Sequence, residues 1–165
     1  MGNLLFSPSG RIGPSAYMKG IIIIAVIGAV FSLLTLVSAV FGAIGSAVGL
    51  LTFYIFIALG IKRSHDAGKS GWMVLTHILL SWGVLAVVMY ILGMVTGISL
   101  SDIFSAALSG DQEAMNAFEA STQTVGYVIP ATILGMISPI VTGFLVNMFN
   151  KQDTGDNQFG PVPAA

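Results

Sequence analysis

The sequence predicts an all-α fold, an integral membrane four-helix bundle. Three observations carry that reading. Charged side chains make up 8% of the 165 residues and apolar ones 55%, whereas soluble domains carry about 25% charged residues. Residues 20–61 hold no charged side chain at all, which is room for two spans of about 20 residues each. Residues 70–101 and 120–150 are also uncharged, and each accommodates one further span.

Charge placement sets the expected topology. The six basic residues fall in three segments: Arg11 and Lys19, then Lys62, Arg63 and Lys69, then Lys151. Four of the seven acids, Asp102, Asp111, Glu113 and Glu119, share another segment. With four spans, all three basic segments lie on one side, and the positive-inside rule makes that side the cytoplasm. Both termini are then cytoplasmic (N-in/C-in) and the acidic loop is external. An odd number of spans would split the basic segments across the membrane.

The elements follow in order. Residues 1–19 are a cytoplasmic lead-in, in which Gly13-Pro14 marks a helix start with proline at the first helical position. Tyr17 and Lys19 then sit at the headgroup level. Span one is expected over residues 20–40. Its Ile21-Ile-Ile-Ile24 run is β-branched, yet lipid leaves an open strand unsatisfied and so favours helix. Gly42 and Gly45 suggest a bend at 41–46, and span two follows over 47–61. A cytoplasmic loop covers 62–71, with Ser70 as N-cap of span three at 72–95. Within the external segment, residues 98–124, Ile103, Phe104, Ala107 and Leu108 share one helical face. Met115 and Phe118 share another, and Gly110 separates the two short amphipathic helices. Span four is expected over 124–149, with kinks at Pro130 and Pro139. The membrane domain thus covers 20–149. The cytoplasmic tail, 150–165, reads as a turn, or as a segment docked under the 62–69 loop with Phe159 as anchor.

Three cytoplasmic stretches form one pattern: Gly10-Arg11-Ile12 with Tyr17; Arg63-Ser-His65-Asp66-Ala-Gly68-Lys-Ser70-Gly71-Trp72; and Gly155-Asp-Asn157-Gln-Phe159-Gly160-Pro161-Val-Pro163. In order and separation they resemble the "domain of unknown function 805" family of small bacterial inner-membrane proteins, across essentially the whole chain. The resemblance implies a multi-pass protein of the bacterial inner membrane with four helices, and no established activity. Gly13-Pro14, Met18 and Gln158 stand where the family usually has a basic, an aromatic and a basic residue. A phosphate-binding role needing those basic groups is weakened accordingly.

The loop supplies the candidate site: Arg11, Lys62, Arg63, His65, Asp66, Lys69 and Trp72. One reading is a structured turn, with Asp66 accepting backbone N–H bonds, Gly68 at positive φ, Ser70 capping and Trp72 anchoring. A second is binding of anionic phospholipids or an acidic partner by the basic side chains, each worth about 1 kcal/mol beside an anionic leaflet. Headgroup chemistry by His65 and Asp66 is a third, without any nucleophile or oxyanion feature to support it. His77, about 7.5 Å below Trp72 at the helical rise, is the intramembrane polar candidate.

Other chemistry is missing from the sequence. No cysteine is present, which removes disulfides and thiolate metal sites. No metal-binding spacing, phosphate loop or serine elbow occurs, so no catalytic residue, metal or cofactor is assigned. A net charge of −1 gives no reason to expect nucleic acid. The first apolar run is too long for a cleavable signal peptide, whose apolar region is about 7–15 residues. The expected role is therefore non-enzymatic: an accessory, assembly or stabilising subunit of a larger inner-membrane complex, for example a respiratory one. Small residues such as Ala25, Gly28, Ala29, Gly45, Gly49, Gly135 and Gly143 would meet the partner, and span four would be the interface helix. The alternative is a homo-oligomeric transporter or channel for a neutral or hydrophobic solute, with Thr76, His77, Ser81 and Tyr90 as its polar stripe.

Overall fold

A computed structural model describes residues 5–163, all-α among the described residues apart from one isolated bridge, between Asn157 and Gly160. Helix α1 covers Pro14–Leu34 and α2 covers Ala39–Asp66. After a 3₁₀ turn, Gly71–Met73, α3 covers Val74–Thr96. Two short helices follow, α4 (Leu100–Ser109) and α5 (Gln112–Thr122), and then α6, Val125–Phe149. Four helices are long and apolar enough to cross a membrane: α1, α2, α6, and α3 together with its 3₁₀ turn.

The first hairpin differs from expectation. Helix α1 begins at Pro14 and ends at Leu34, and the bend is at residues 35–38 rather than 41–46. Ser38 caps α2 by accepting the Val40 N–H. The helix then runs straight through Gly42 and Gly45, because in lipid a broken helix would leave backbone groups without partners. At its far end α2 continues to Asp66, past the charged residues at which span two was expected to end. It stops in a Schellman motif, with Lys69 N–H on the Ser64 carbonyl, Gly68 N–H on that of His65, and Gly68 at φ 68°. Pro130 and Pro139 both lie inside a continuous α6.

Helix α1 sits between α2 and α6, whose backbones stay apart, while α3 packs along α6 and meets α2 only lightly. Ile12, Tyr17, Ile21, Ile55, Phe56, Leu59 and Val146 form the apolar core. It lies in the half of the bundle that carries both terminal segments, and none of residues 39–54 is buried. Two glycines allow the tight packing there. A Cβ on Gly20 would come within 2.6 Å of Leu59, and one on Gly60 within 2.8 Å of Val74. Helix α6 is the most buried of the four spans, because it separates α1 from α3.

At the opposite end, α4 opens with a capping box. Ser99 Oγ accepts the Asp102 N–H, and the Asp102 carboxylate accepts the Ser99 N–H at 2.7 Å. The Ser99 hydroxyl, donating to the same carboxylate at 2.6 Å, and then the Ser99 N–H hold the Asp102 carboxyl below the ordinary aspartate range. Asp111 caps α5 by accepting the Glu113 and Ala114 N–H groups, and Gly110 turns between the two helices at φ 65°.

Candidate functional site

The candidate residues converge on a polar plate at the terminal end. The last turns of α2 place Lys62, Arg63 and Asp66 on its buried side, with Arg63 and Asp66 fully buried. Asp66 lies three residues after Arg63, on the same helical face, and accepts Arg63 Nη1 at 2.8 Å. Arg63 Nε donates to Asn147 Oδ1 at 2.6 Å, and Nη2 to the Asn150 carbonyl. Asn147 in turn donates to the Pro14 carbonyl at the head of α1. One guanidinium thus joins α2 to α6 and, through Asn147, to α1.

Arg11 makes the second set of links. It forms an ion pair with Asp66 Oδ1 at 3.2 Å, and its other donors reach the carbonyls of Asp153, Gly155 and Gly160. The Asp66 carboxylate is therefore gripped by two guanidiniums, where backbone N–H groups had been the expected partners. Such charge-assisted, forked contacts are the geometry arginine is built for.

The tail closes over this plate. Phe159 stacks on His65 with ring centroids 3.9 Å apart and planes 6° from parallel. Asn157 donates to the His65 carbonyl and to Asp153, and Asp153 N–H reaches the Asp66 carbonyl at 2.8 Å. His65 Nδ1 lies 3.1 Å from the Gly10 carbonyl, which makes that nitrogen the donor. So the tail both turns, at Asn157–Gly160, and docks on the loop. His65 and Asp66 each have separate partners and are not hydrogen-bonded to one another.

Asn150 links the plate to α3. Its Oδ1 accepts from Lys69 Nζ at 2.9 Å, so its amide nitrogen donates to His77 Nε2 at 2.8 Å. The neutral His77 ring then carries its proton on Nδ1, a buried atom without a partner that faces Gly60. The rest of the polar stripe does not join it. Thr76 bonds the Met73 carbonyl of the preceding 3₁₀ turn, Ser81 bonds the Ile78 carbonyl of its own helix, and Tyr90 is 68% exposed. Ser70 accepts the Trp72 N–H, and Trp72 stands out of the bundle, 78% exposed, at the start of span three.

Asn147, Asn150, Asp153 and Asn157 are central to the plate, and none was a sequence candidate. The available signal was in span four, where Asn147 and Asn150 are uncharged amides within an apolar helix end.

Among the described residues no group of three or more His, Asp or Glu side chains is placed to hold a metal ion. No curated protein and no solved structure matches the chain. Residues 5–161 do match one family, described as protein of unknown function (DUF805), and that range takes in the first two of the three stretches joined by Arg11, Asp66 and Phe159, and the third as far as Pro161. The chain therefore belongs to the DUF805 family.

Proposed function

We propose that this integral membrane protein is a non-enzymatic accessory subunit that receives a transmembrane helix of a larger complex in the bacterial inner membrane. One observation carries the reading. Gly28 of α1, Gly49 of α2 and Gly135 of α6 border two adjoining recesses that share Gly28, Ser32 and Thr52. The recesses measure about 300 and 290 Å3. A Cβ on any of the three glycines would meet nothing. Internal packing does not require them, and each weakens its helix by about 1 kcal/mol relative to alanine. A helix approaching from outside does require small residues, because close backbone approach drives association in lipid. Gly45 and Gly143, by contrast, are already in use, against Phe31 and against Met18 and Ile21.

The polar plate supports the same reading. Its signature residues are engaged in holding the terminal end rigid, which leaves the open half of the bundle for a partner. Topology follows from charge. The terminal end holds six basic and three acidic side chains, and the α4–α5 end four acids and no base. The positive-inside rule puts the terminal end in the cytoplasm.

The test is affinity purification from native membranes in mild detergent, followed by native electrophoresis and mass spectrometry. The wild-type chain is expected to bring down a larger complex in fixed stoichiometry. Gly49→Leu and Gly135→Leu, which fill the groove, are expected to release it while melting no lower than the wild type. A lone wild-type species, or a complex indifferent to both substitutions, overturns the reading.

A further inference from the structure

We propose that the recess between α3 and α6 at the terminal end is a binding site for one anionic phospholipid. The recess holds about 270 Å3 and is mainly apolar, with Met73, Leu80, Val146 and Phe149 among its walls. Buried His77 and Asn150, hydrogen-bonded to each other, also line it. This is space for the upper part of one acyl chain, open at the exposed Thr76.

Lys69, also in the lining, supplies the charge. Two of its three ammonium hydrogens go to Asn150 Oδ1 and the Phe149 carbonyl, at 2.9 and 3.4 Å. Those bonds hold the ammonium against the end of α6. The next residue after Asn150 is Lys151, which is exposed. Lys69 thus lines the recess and Lys151 directly follows the lining residue Asn150, with Trp72 exposed at the neighbouring headgroup level.

The acids of this end are turned elsewhere. Asp66 is enclosed by Arg11 and Arg63. Asp153 accepts from Asn157, and Asp156 from the Val162 N–H. A phosphodiester with one net negative charge complements what remains, and its acyl chain fits the apolar walls. A free phosphate would match the lysines and leave the recess unused. A zwitterionic lipid would match the recess but bring its own cation beside the lysines, cancelling the charge of its phosphate. The site stands independently of the accessory-subunit reading, because it needs only the isolated chain.

The experiment is native mass spectrometry of the purified full chain, titrated with phosphatidylglycerol and with phosphatidylcholine of the same acyl composition. Phosphatidylglycerol is expected to be retained at least fivefold better. Lys151→Gln is expected to weaken it about fivefold, the contribution of one basic side chain beside an anionic lipid. Lys69→Gln should do the same or more, but it also loosens the end of α6, so the exposed Lys151 carries the test. Thr76→Phe, which fills the recess from an exposed position, is expected to abolish retention with both lysines in place. Equal retention of the two lipids overturns the proposal. So does wild-type retention in Lys151→Gln or Thr76→Phe, or displacement of the lipid by inorganic phosphate.

Discussion

Arg11 and Asp66 are 55 residues apart in the chain and 3.2 Å apart in the structure, with both side chains shut off from solvent. The same carboxylate holds Arg63 through its other oxygen at 2.8 Å. Asp66 is thus the single anion between two buried guanidiniums, and each guanidinium reaches a different part of the chain. Arg11 leads to the tail and Arg63 to the end of α6.

Removing that anion should therefore be severe. Asp66→Asn keeps the shape and removes the charge, leaving two buried cations face to face. A loss of about 3–5 kcal/mol is expected, the usual result of breaking a buried pair by removing one partner. Arg63→Met alone should also be costly, and the double variant should lose clearly less than the two single losses combined. Reversible unfolding in mixed micelles measures all three. Simple additivity would show that the pair is not an energetic unit.

The tail should be fixed as firmly as the plate beneath it. A photoreactive phenylalanine analogue at position 159 is expected to crosslink to the 62–69 segment in intact membranes, since Phe159 lies flat on His65. Arg11→Gln should lower that yield several-fold, because Arg11 holds the carbonyls of Asp153, Gly155 and Gly160. A full yield in that variant would assign the docking to the stacked rings alone.

Acid should loosen the cap of α4 at the opposite end. The Asp102 carboxyl is held below its ordinary range by Ser99. A depressed folded value means that the ionised cap contributes fully above the ordinary aspartate value. The contribution is lost as pH falls through the depressed one. Amide resonances of Ser99 and Asp102 should titrate together there, and Asp102→Asn should remove the transition. An unchanged profile in that variant would mean that another group is being titrated.

The four spans were legible because a membrane filters out charge, and the long uncharged runs are visible without any knowledge of packing. Their ends were less so. Span two was expected to stop at Ile61 because an unpaired charge is costly in lipid. Helix α2 instead carries Lys62 and Arg63 inward, and Asp66 three residues later offsets part of that cost. The pairing of Arg63 with Asp66 could be read from spacing. Its bonds to Asn147 and Asn150 could not, because they join residues 84 and 87 positions apart. The early bend was missed for a related reason. Gly42 and Gly45 read as breakers by the habits of soluble chains, whereas lipid penalises any break and moved the turn to Ser38.

The glycines provide the sharpest separation between packing and open surface. Gly60 lies against Val74, a stiff β-branched side chain, and against buried His77 at 3.0 Å. Gly60→Ala must push one of them aside, and a loss of about 1–3 kcal/mol is expected from overpacking. Gly20→Ala meets the fully buried Leu59 and should behave alike. Gly28→Ala, Gly49→Ala and Gly135→Ala have nothing to displace, and each should gain up to about 1 kcal/mol from helix propensity. Unfolding of the five single variants in one mixed-micelle series makes the comparison. If the second group is destabilised as much as the first, the groove between α2 and α6 is closed by the chain itself, and the place proposed for a partner helix does not exist.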